Sequence, residues 1–376
     1  MQKRIVELSQ IFIILLFVLV LVLFLQLFYV CGSPVAYKDF NGYPPGARSH
    51  SMGSVGIALL DNPFASFYNP AALCFLKTSY FVFDFQISRS KTHTQENQST
   101  LPGLSGVGIN CISTVNPSGG VTWRPLSRKK EEKKTLVFSV ELQETLSIES
   151  KLEYSTDEFY LTLTTLTGTQ IDDITEKPLL GINLKYYRAI LAESEVKKTK
   201  TTPVDASSNF DTGNGFGIDL GFSYMKNPIL LGFTINDIFS KVYWTDYDND
   251  RIHTKTGAGI TTFFLDQWAI STDLRYDGGL KKTGFYTGTE YRIGKIKKEE
   301  KKLLFGQPKN EDKSSWAAIF RIGARLDNVK RKKEIIYSLG FGYSLSQFNF
   351  DIAFSGDKEL VKSKSFSSQI SILVIY

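Results

Sequence analysis

From Tyr80 to Tyr376, apolar side chains recur at every second position. Phe81, Phe83, Phe85 and Ile87 alternate with Tyr80, Asp84, Gln86 and Ser88. Phe216, Ile218, Leu220, Phe222 and Tyr224 alternate with Gly215, Gly217, Asp219, Gly221 and Ser223. The same beat carries Trp268 to Tyr276, Trp316 to Leu326, Tyr337 to Leu345, Phe348 to Phe354 and Phe366 to Tyr376. A period of two is that of a β-strand, whose side chains point alternately to opposite faces. Two other textures precede this region. Ile11 to Val30 is almost unbroken Ile, Leu, Val and Phe, and Gly46 to Leu73 has no period at all.

Alternation alone also fits a soluble β-sandwich. Four features favour a membrane barrel. Many strands reach the length of about 9–11 residues that a tilted crossing needs. Aromatics gather near strand ends, where an interfacial girdle belongs, and the charged Asp219, Asp273, Arg321 and Arg325 fall on the face opposite the apolar one. Glycines also fall on the polar face, as a filled lumen would require. The expected fold is an all-β, transmembrane antiparallel β-barrel of about fourteen strands with a short N-terminal plug. The expected strands begin near Tyr80, Gly119, Thr135, Glu158, Pro178, Gly213, Pro228, His253, Asp266, Thr283, Ser315, Lys333, Gln347 and Phe366. Leu104 to Thr114 stays open as an added strand, a loop or part of the plug. Ser223 is expected to face a wet lumen.

Loop parity gives a sidedness. The tight turns at Lys226-Asn227-Pro228, Leu265-Asp266-Gln267 and Leu345-Ser346-Gln347 share the side of the barrel termini. The long segments Ser88 to Ser118, Ala192 to Thr212 and Lys241 to Ile252 fall on the other side. Short periplasmic turns and long external loops are the habit of such barrels. Lys295 to Ser314 and Arg128 to Lys134 are charged insertions expected on the terminal side, either simply solvated or touching a periplasmic partner or an anionic surface.

The leader, residues 1–36, has Lys3 and Arg4 before its apolar run and small residues Gly32, Ser33 and Ala36 after it. This is the layout of a secretory signal peptide; an uncleaved membrane helix and a lipoprotein anchored at Cys31 are the alternatives. Residues 37–78 form the plug or hatch and residues 79–376 the barrel. The chain has 376 residues, 42% hydrophobic and 22% charged, with a net charge of +6. The mean hydropathy of −0.11 does not exclude a barrel that is apolar on one face only. The lysine clusters lie between strands, so the basic balance does not point to nucleic acid. Cys31, Cys74 and Cys111 and the scattered His50, His93 and His253 have no metal-ligand spacing, and no catalytic motif appears. No metal, cofactor or enzymatic activity is expected. Cys74 and Cys111 are free to pair in an oxidising envelope.

Gly46 to Leu73 is rich in small residues and interrupted by Pro63 and Pro70, so it is expected to be a compact plug of turns. Asn69 is pushed out of the α region by Pro70. Its side chain suits a turn, while Phe67 and Tyr68 are bulky enough to fill a lumen. Gly46-Ala47-Arg48, Met52-Gly53, Asp61-Asn62-Pro63 and Ser66-Phe67-Tyr68-Asn69-Pro70-Ala71-Ala72-Leu73 resemble the N-terminal segment of the long-chain fatty-acid transporter (FadL-like) outer-membrane family. That family includes the PorV-type proteins and uncharacterised spirochaete paralogues. Ala72 stands where many members have glycine. The resemblance implies passive diffusion of hydrophobic molecules, such as long-chain fatty acids, through a plugged barrel with lateral exit at a kinked strand. It implies a ligand or gate role for Phe67, Tyr68, Asn69, Pro70 and Ala71, and a plug motif of Gly46, Arg48, Gly53, Asp61, Asn62 and Pro63. The alternative is a PorV-like scaffold or secretion accessory. Expected partners are hydrophobic small molecules or lipids, outer-membrane lipid, and the barrel-assembly machinery through the last strand and Tyr376. The expected location is the bacterial outer membrane.

Overall fold

The computed structural model describes residues 45–89, 107–139, 144–165, 176–199, 203–264, 267–294, 316–329, 332–345, 347–356 and 366–376. The leader, the 295–314 insertion and the tips of several hairpins lie outside these residues. The described chain forms an antiparallel β-barrel whose lumen holds the segment from Pro45 to Leu76.

The strands are β1 (Tyr80–Arg89), β2 (Val107–Asn116), β3 (Gly119–Ser139), β4 (Glu144–Thr164), β5 (Pro178–Lys198), β6 (Pro203–Lys226), β7 (Ile229–Trp244), the two-residue β8 (Asp250–Arg251), β9 (Lys255–Phe264), β10 (Trp268–Asp277), β11 (Lys282–Gly294), β12 (Ala317–Val329), β13 (Lys332–Ser344), β14 (Phe348–Gly356) and β15 (Phe366–Ile375). Each barrel strand pairs with its neighbours in sequence, β7 passes over β8 to pair with β9, and β1 pairs with β15. The ring is therefore closed by fourteen strands, with β8 a short side ladder on β7. Closure gives every strand of the ring a partner on both sides, which is what a strand-built membrane crossing requires. Tyr80 faces Ile375, and the Tyr376 amide donates to the Ser79 carbonyl, so the barrel termini share one end.

The alternation is realised as expected. Phe320, Ile322, Leu339, Phe341, Ile270 and Leu274 are exposed on the outer face. Asp84, Ser271, Asp273, Arg321 and Ser371 are buried in the lumen. An outer surface so rich in large apolar side chains suits lipid.

One open stretch is settled as a strand and one expected strand start is corrected, and the two changes cancel in the count. Val107–Asn116 is a barrel strand, joined to β3 by a tight turn in which Asn116 Oδ1 accepts from the Ser118 and Gly119 amides. Thr135 starts no strand; it lies inside β3, opposite Ile148 of β4. The charges of Arg128 to Lys134 obscured this, because a continuous strand can carry solvated charge once it leaves the membrane. They lie at the far end from the termini, not the terminal side, and pair in register with Glu149 to Ser155. Lys134 and Lys198 both bridge to Glu149, at 3.0 and 2.9 Å. Ala192 to Thr212 is likewise mostly strand rather than loop. Strands β3 to β6 run 21, 21, 21 and 24 residues, against 10 in β1 and β2. They form a wall projecting from the far end.

Ser223 is also corrected: it is fully buried and accepts from Asn69 Nδ2 at 3.0 Å. The lumen at this level is filled by the plug and is not wet.

Candidate functional site

The plug is built from two short helices and a 3₁₀ turn: α1 (Ala47–Ser51), α2 (Ala65–Tyr68) and Pro70–Phe75. None is long enough to satisfy its own backbone, and buried backbone groups need partners. The barrel wall supplies them. Asp84 accepts from the Gly46 amide, Ser371 from Ala47 and Ser338 from Gly53. Asp273 Oδ2 accepts from Gly56 and Ile57, at 2.8 and 3.1 Å. On the acceptor side, Thr261 donates to the Ala58 carbonyl, Asn183 to Ser66 and Arg275 to Ser54. The polar lumen residues are thus the hydrogen-bond complement of an irregular chain.

The inward glycines complete this fit. At Gly181 a Cβ would enter the backbone of Pro70 and Ala71, and at Gly221 it would meet Asn69 Oδ1 and then the Ala71 amide and Pro70 ring. At Gly288 and Gly323 it would enter Met52 and Gly53. Gly53 itself has φ +72 and wedges against Thr287 and Ala324, a place where a side chain would be strained and crowded at once.

The expected site residues all lie in this plug. Asn69 is the most connected. It is extended (φ −158°, ψ 103°), as a residue before proline should be, and its Oδ1 accepts from the Ala71 amide to cap the 3₁₀ turn. Its Nδ2 donates to the Ile57 carbonyl at 2.9 Å, and to the Phe222 carbonyl and Ser223 Oγ, both at 3.0 Å. Pro70 opens the 3₁₀ turn, and with Ala71 packs against β5 and β6. Tyr68 is buried, its hydroxyl donating to the Pro45 carbonyl, with the Arg275 guanidinium 5.0 Å from its ring. Phe67 meets Tyr160 edge-on at 5.1 Å, beneath Arg124. Gly46 turns the chain at φ +97 against Phe64. Arg48 donates to both oxygens of Glu290 and to the Leu60 and Asp61 carbonyls. Asp61, at φ 48, accepts from the Tyr80 hydroxyl. Asn62 Oδ1 caps Phe64, and Pro63 lines a small cavity with it.

Two charge clusters escaped the sequence reading. Arg48, Glu290, Arg321 and Asp351 form one chain, with Arg321 to Glu290 and Arg321 to Asp351 both at 2.6 Å. In the other, Lys185 Nζ lies 2.7 Å from Asp237, 2.9 Å from Asp219 and 3.2 Å from Glu158, which also pairs with Arg124 at 2.6 Å. Their signal was present as charges on the lumen face of strands, but strand spacing does not tell which of them meet across the barrel.

The second cluster sits beside a defect in the wall. The β6–β7 ladder shifts register twice, between Phe216 and Leu220, each time with one extra residue on β7. Asp237 (φ 62°) and Phe239 (φ 54°) take left-handed conformations there, the mark of bulges in a bent strand. The β7–β9 ladder ends at Asn236–Lys255. Beyond it the Ile252 amide still donates to Ser240 O, and Thr254 Oγ1 to Asp237 O. Phe239 is 69% exposed on the outside. Cys74 and Cys111 are not joined in a disulfide and both lie in one buried apolar cluster. Among the described residues no group of His, Cys, Asp and Glu converges on a metal-sized site.

Comparison with solved structures gives the P. putida toluene transporter TodX at TM-score 0.51 and 14% identity, covering 90% of this chain and 99% of TodX. The chain has the TodX fold. The Ralstonia pickettii toluene transporter TbuX (TM-score 0.48, 14% identity, 89% of this chain and 98% of TbuX covered) and a Pseudomonas aeruginosa FadL homologue (TM-score 0.47, 13% identity, 89% and 98% covered) are also similar. The family model described as F plasmid transfer operon, TraF, protein matches residues 159–291, from the end of β4 to β11. No curated protein sequence matches the chain.

Proposed function

We propose that the protein is an outer-membrane channel of the FadL-like type that passes hydrophobic small molecules by diffusion, with lateral exit through the β7 bulge. Fatty acids belong to the same proposal as one class of cargo. The bulge carries the reading: two consecutive register shifts and two left-handed residues fall together on one strand there, where the other shifted ladders have a single shift each. An apolar solute leaving there would enter lipid directly, without crossing the polar end of the barrel. TodX and TbuX, named as toluene transporters, support the cargo class.

A chain of contacts joins plug to bulge. Phe67 lies under Arg124, Arg124 pairs with Glu158, Glu158 with Lys185, and Lys185 with Asp237 on the bulge itself. A shift of the plug around Phe67 to Ala71 would therefore reach the seam through charged pairs that are costly to leave unmatched once buried. This chain of contacts supports a gate at those five residues.

The test is a reversible clamp. Ser240 and Ile252 already share a backbone hydrogen bond across the seam, so Ser240→Cys with Ile252→Cys places two thiols there. In liposomes, the oxidised variant should lose most apolar-solute flux and regain it on reduction. Equal flux in both states would remove the lateral exit. Separately, Asn69→Ala with Pro70→Ala should alter flux while the heat-resistant folded band persists; unchanged flux would take the gate away from this turn. A scaffold role is favoured by one observation, the projecting wall of β3 to β6, which offers a partner protein a large surface. Absence of flux from every form would leave that reading standing.

A further inference from the structure

At the terminal end of the barrel, plug and wall enclose a cavity of about 40 Å³. Its wall residues come from strand ends: Tyr80 begins β1, Ser344 ends β13, Asn349 is second in β14, and Arg292 and Leu373 are third from the ends of β11 and β15. Asn62 and Pro63 close it from the plug side.

Three guanidinium groups and three carboxylates meet around it, and the carboxylates are all engaged. Glu290 is shared by Arg48 and Arg321. Asp351 takes the other arm of Arg321. Asp61 accepts from the Tyr80 hydroxyl. Arg292 has no ion pair among the described residues, and its buried Nε has no hydrogen-bond partner. Asn62 is fully buried, and its Nδ2 also lacks a partner while Oδ1 is occupied by the Phe64 amide. Two buried donors, one cationic, thus line one small cavity, one from the plug and one from the wall. Buried donors left without an acceptor each cost about 1–3 kcal/mol, more when charged.

We propose that this cavity binds a carboxylate group, held between Asn62 Nδ2 and the Arg292 guanidinium. The chemistry asks for an acceptor with no proton to donate. Glu290 and Asp61 act on the Arg292 guanidinium only from beyond ion-pair distance, and a bound carboxylate would give it a direct partner. The size suits a group of two oxygens on one carbon, not a whole amphiphile; a longer tail would lie outside the cavity. The site does not depend on the transport reading. It couples plug to wall, so its guest would hold the plug in place from the terminal side.

The experiment uses the full chain in non-ionic detergent micelles. The temperature at which the folded band is lost is followed during titration with acetate, octanoate and 1-octanol. A ligand of the native state raises that temperature by mass action. Acetate and octanoate should both raise it, and 1-octanol should not. Octanoate binding at least 10-fold tighter than acetate identifies the source as an amphiphile head; equal binding identifies a free small anion. Arg292→Gln should weaken either anion at least 10-fold. Asn62→Asp supplies a carboxylate from the plug itself, so it should raise the temperature without ligand and abolish the response to acetate. Three results would overturn the site: no anion response, which leaves ordered water only; an equal response to octanol; or unchanged binding in a folded Arg292→Gln.

Discussion

At the scale of single residues, the plug is held by side chains whose protonation matters. His50 is buried in α1, with Nε2 at 2.8 Å from Ser355 Oγ. Burial, and then the nearby Arg325 charge, push its imidazole down to about 3. A depressed histidine means that the unfolded chain binds the extra proton first. The stability that His50 contributes is full above its ordinary value of about 6.5 and falls as the pH drops toward 3. Acidification to pH 4 should thus loosen the plug by up to roughly 3 kcal/mol. His50→Gln should flatten that dependence, as read by hydrogen exchange of plug amides between pH 7 and pH 4. An equal slope in both forms would place the acid sensitivity elsewhere. Some of this scale was legible in the sequence. Asn69 before Pro70 announced an extended residue and a local cap, and both are present. Its three contacts with Ile57, Phe222 and Ser223 were not legible, because they depend on which strands the plug meets.

At the scale of elements, strands and plug fit through absent side chains. The sequence put glycines on the lumen face, and alternation alone was enough to see it. It could not say that Gly288 and Gly323 lie on neighbouring strands, directly opposite one another, and receive the same turn of the plug. A Cβ at either would collide with Met52 or Gly53 backbone, which has no flexible end to yield. Gly323→Val should therefore displace the plug and not the barrel. Expected are a retained heat-resistant band and new protease cleavage between residues 45 and 76. Ala324→Val, one position along, is the control for a bulkier strand. If the two variants are cleaved alike, the glycine is not the contact that seats the plug. The same reasoning explains the boundary errors. Period two marks a strand only while one face stays apolar, so β3 faded from view at Arg128, although its backbone ladder with β4 continues to Ser139.

At the scale of the whole molecule, the question is where the membrane lies. The apolar band of such a barrel is about 25 Å tall. Ile322 is 62% exposed on the outer face of β12 and opposes Thr289 and Leu339. It lies five residues past Ala317, ~17 Å along the strand at about 3.4 Å per residue. With a tilt of about 40°, that height is ~13 Å, the middle of the band. Leu136 is 68% exposed as well. It stands seventeen residues past Gly119 on β3, ~58 Å along the strand, or ~44 Å high at the same tilt, well beyond lipid. Two leucine-sized side chains of nearly equal exposure thus face different solvents. Ile322→Arg should cost about 2–4 kcal/mol, while Leu136→Arg should fall within about 0.5 kcal/mol of the parent. Urea titration of folding into lipid vesicles, followed by the heat-resistant band, measures both. Similar small costs would mean that the apolar face of β12 is not in lipid. Similar large costs would mean that the wall of β3 to β6 lies in the membrane or against a partner.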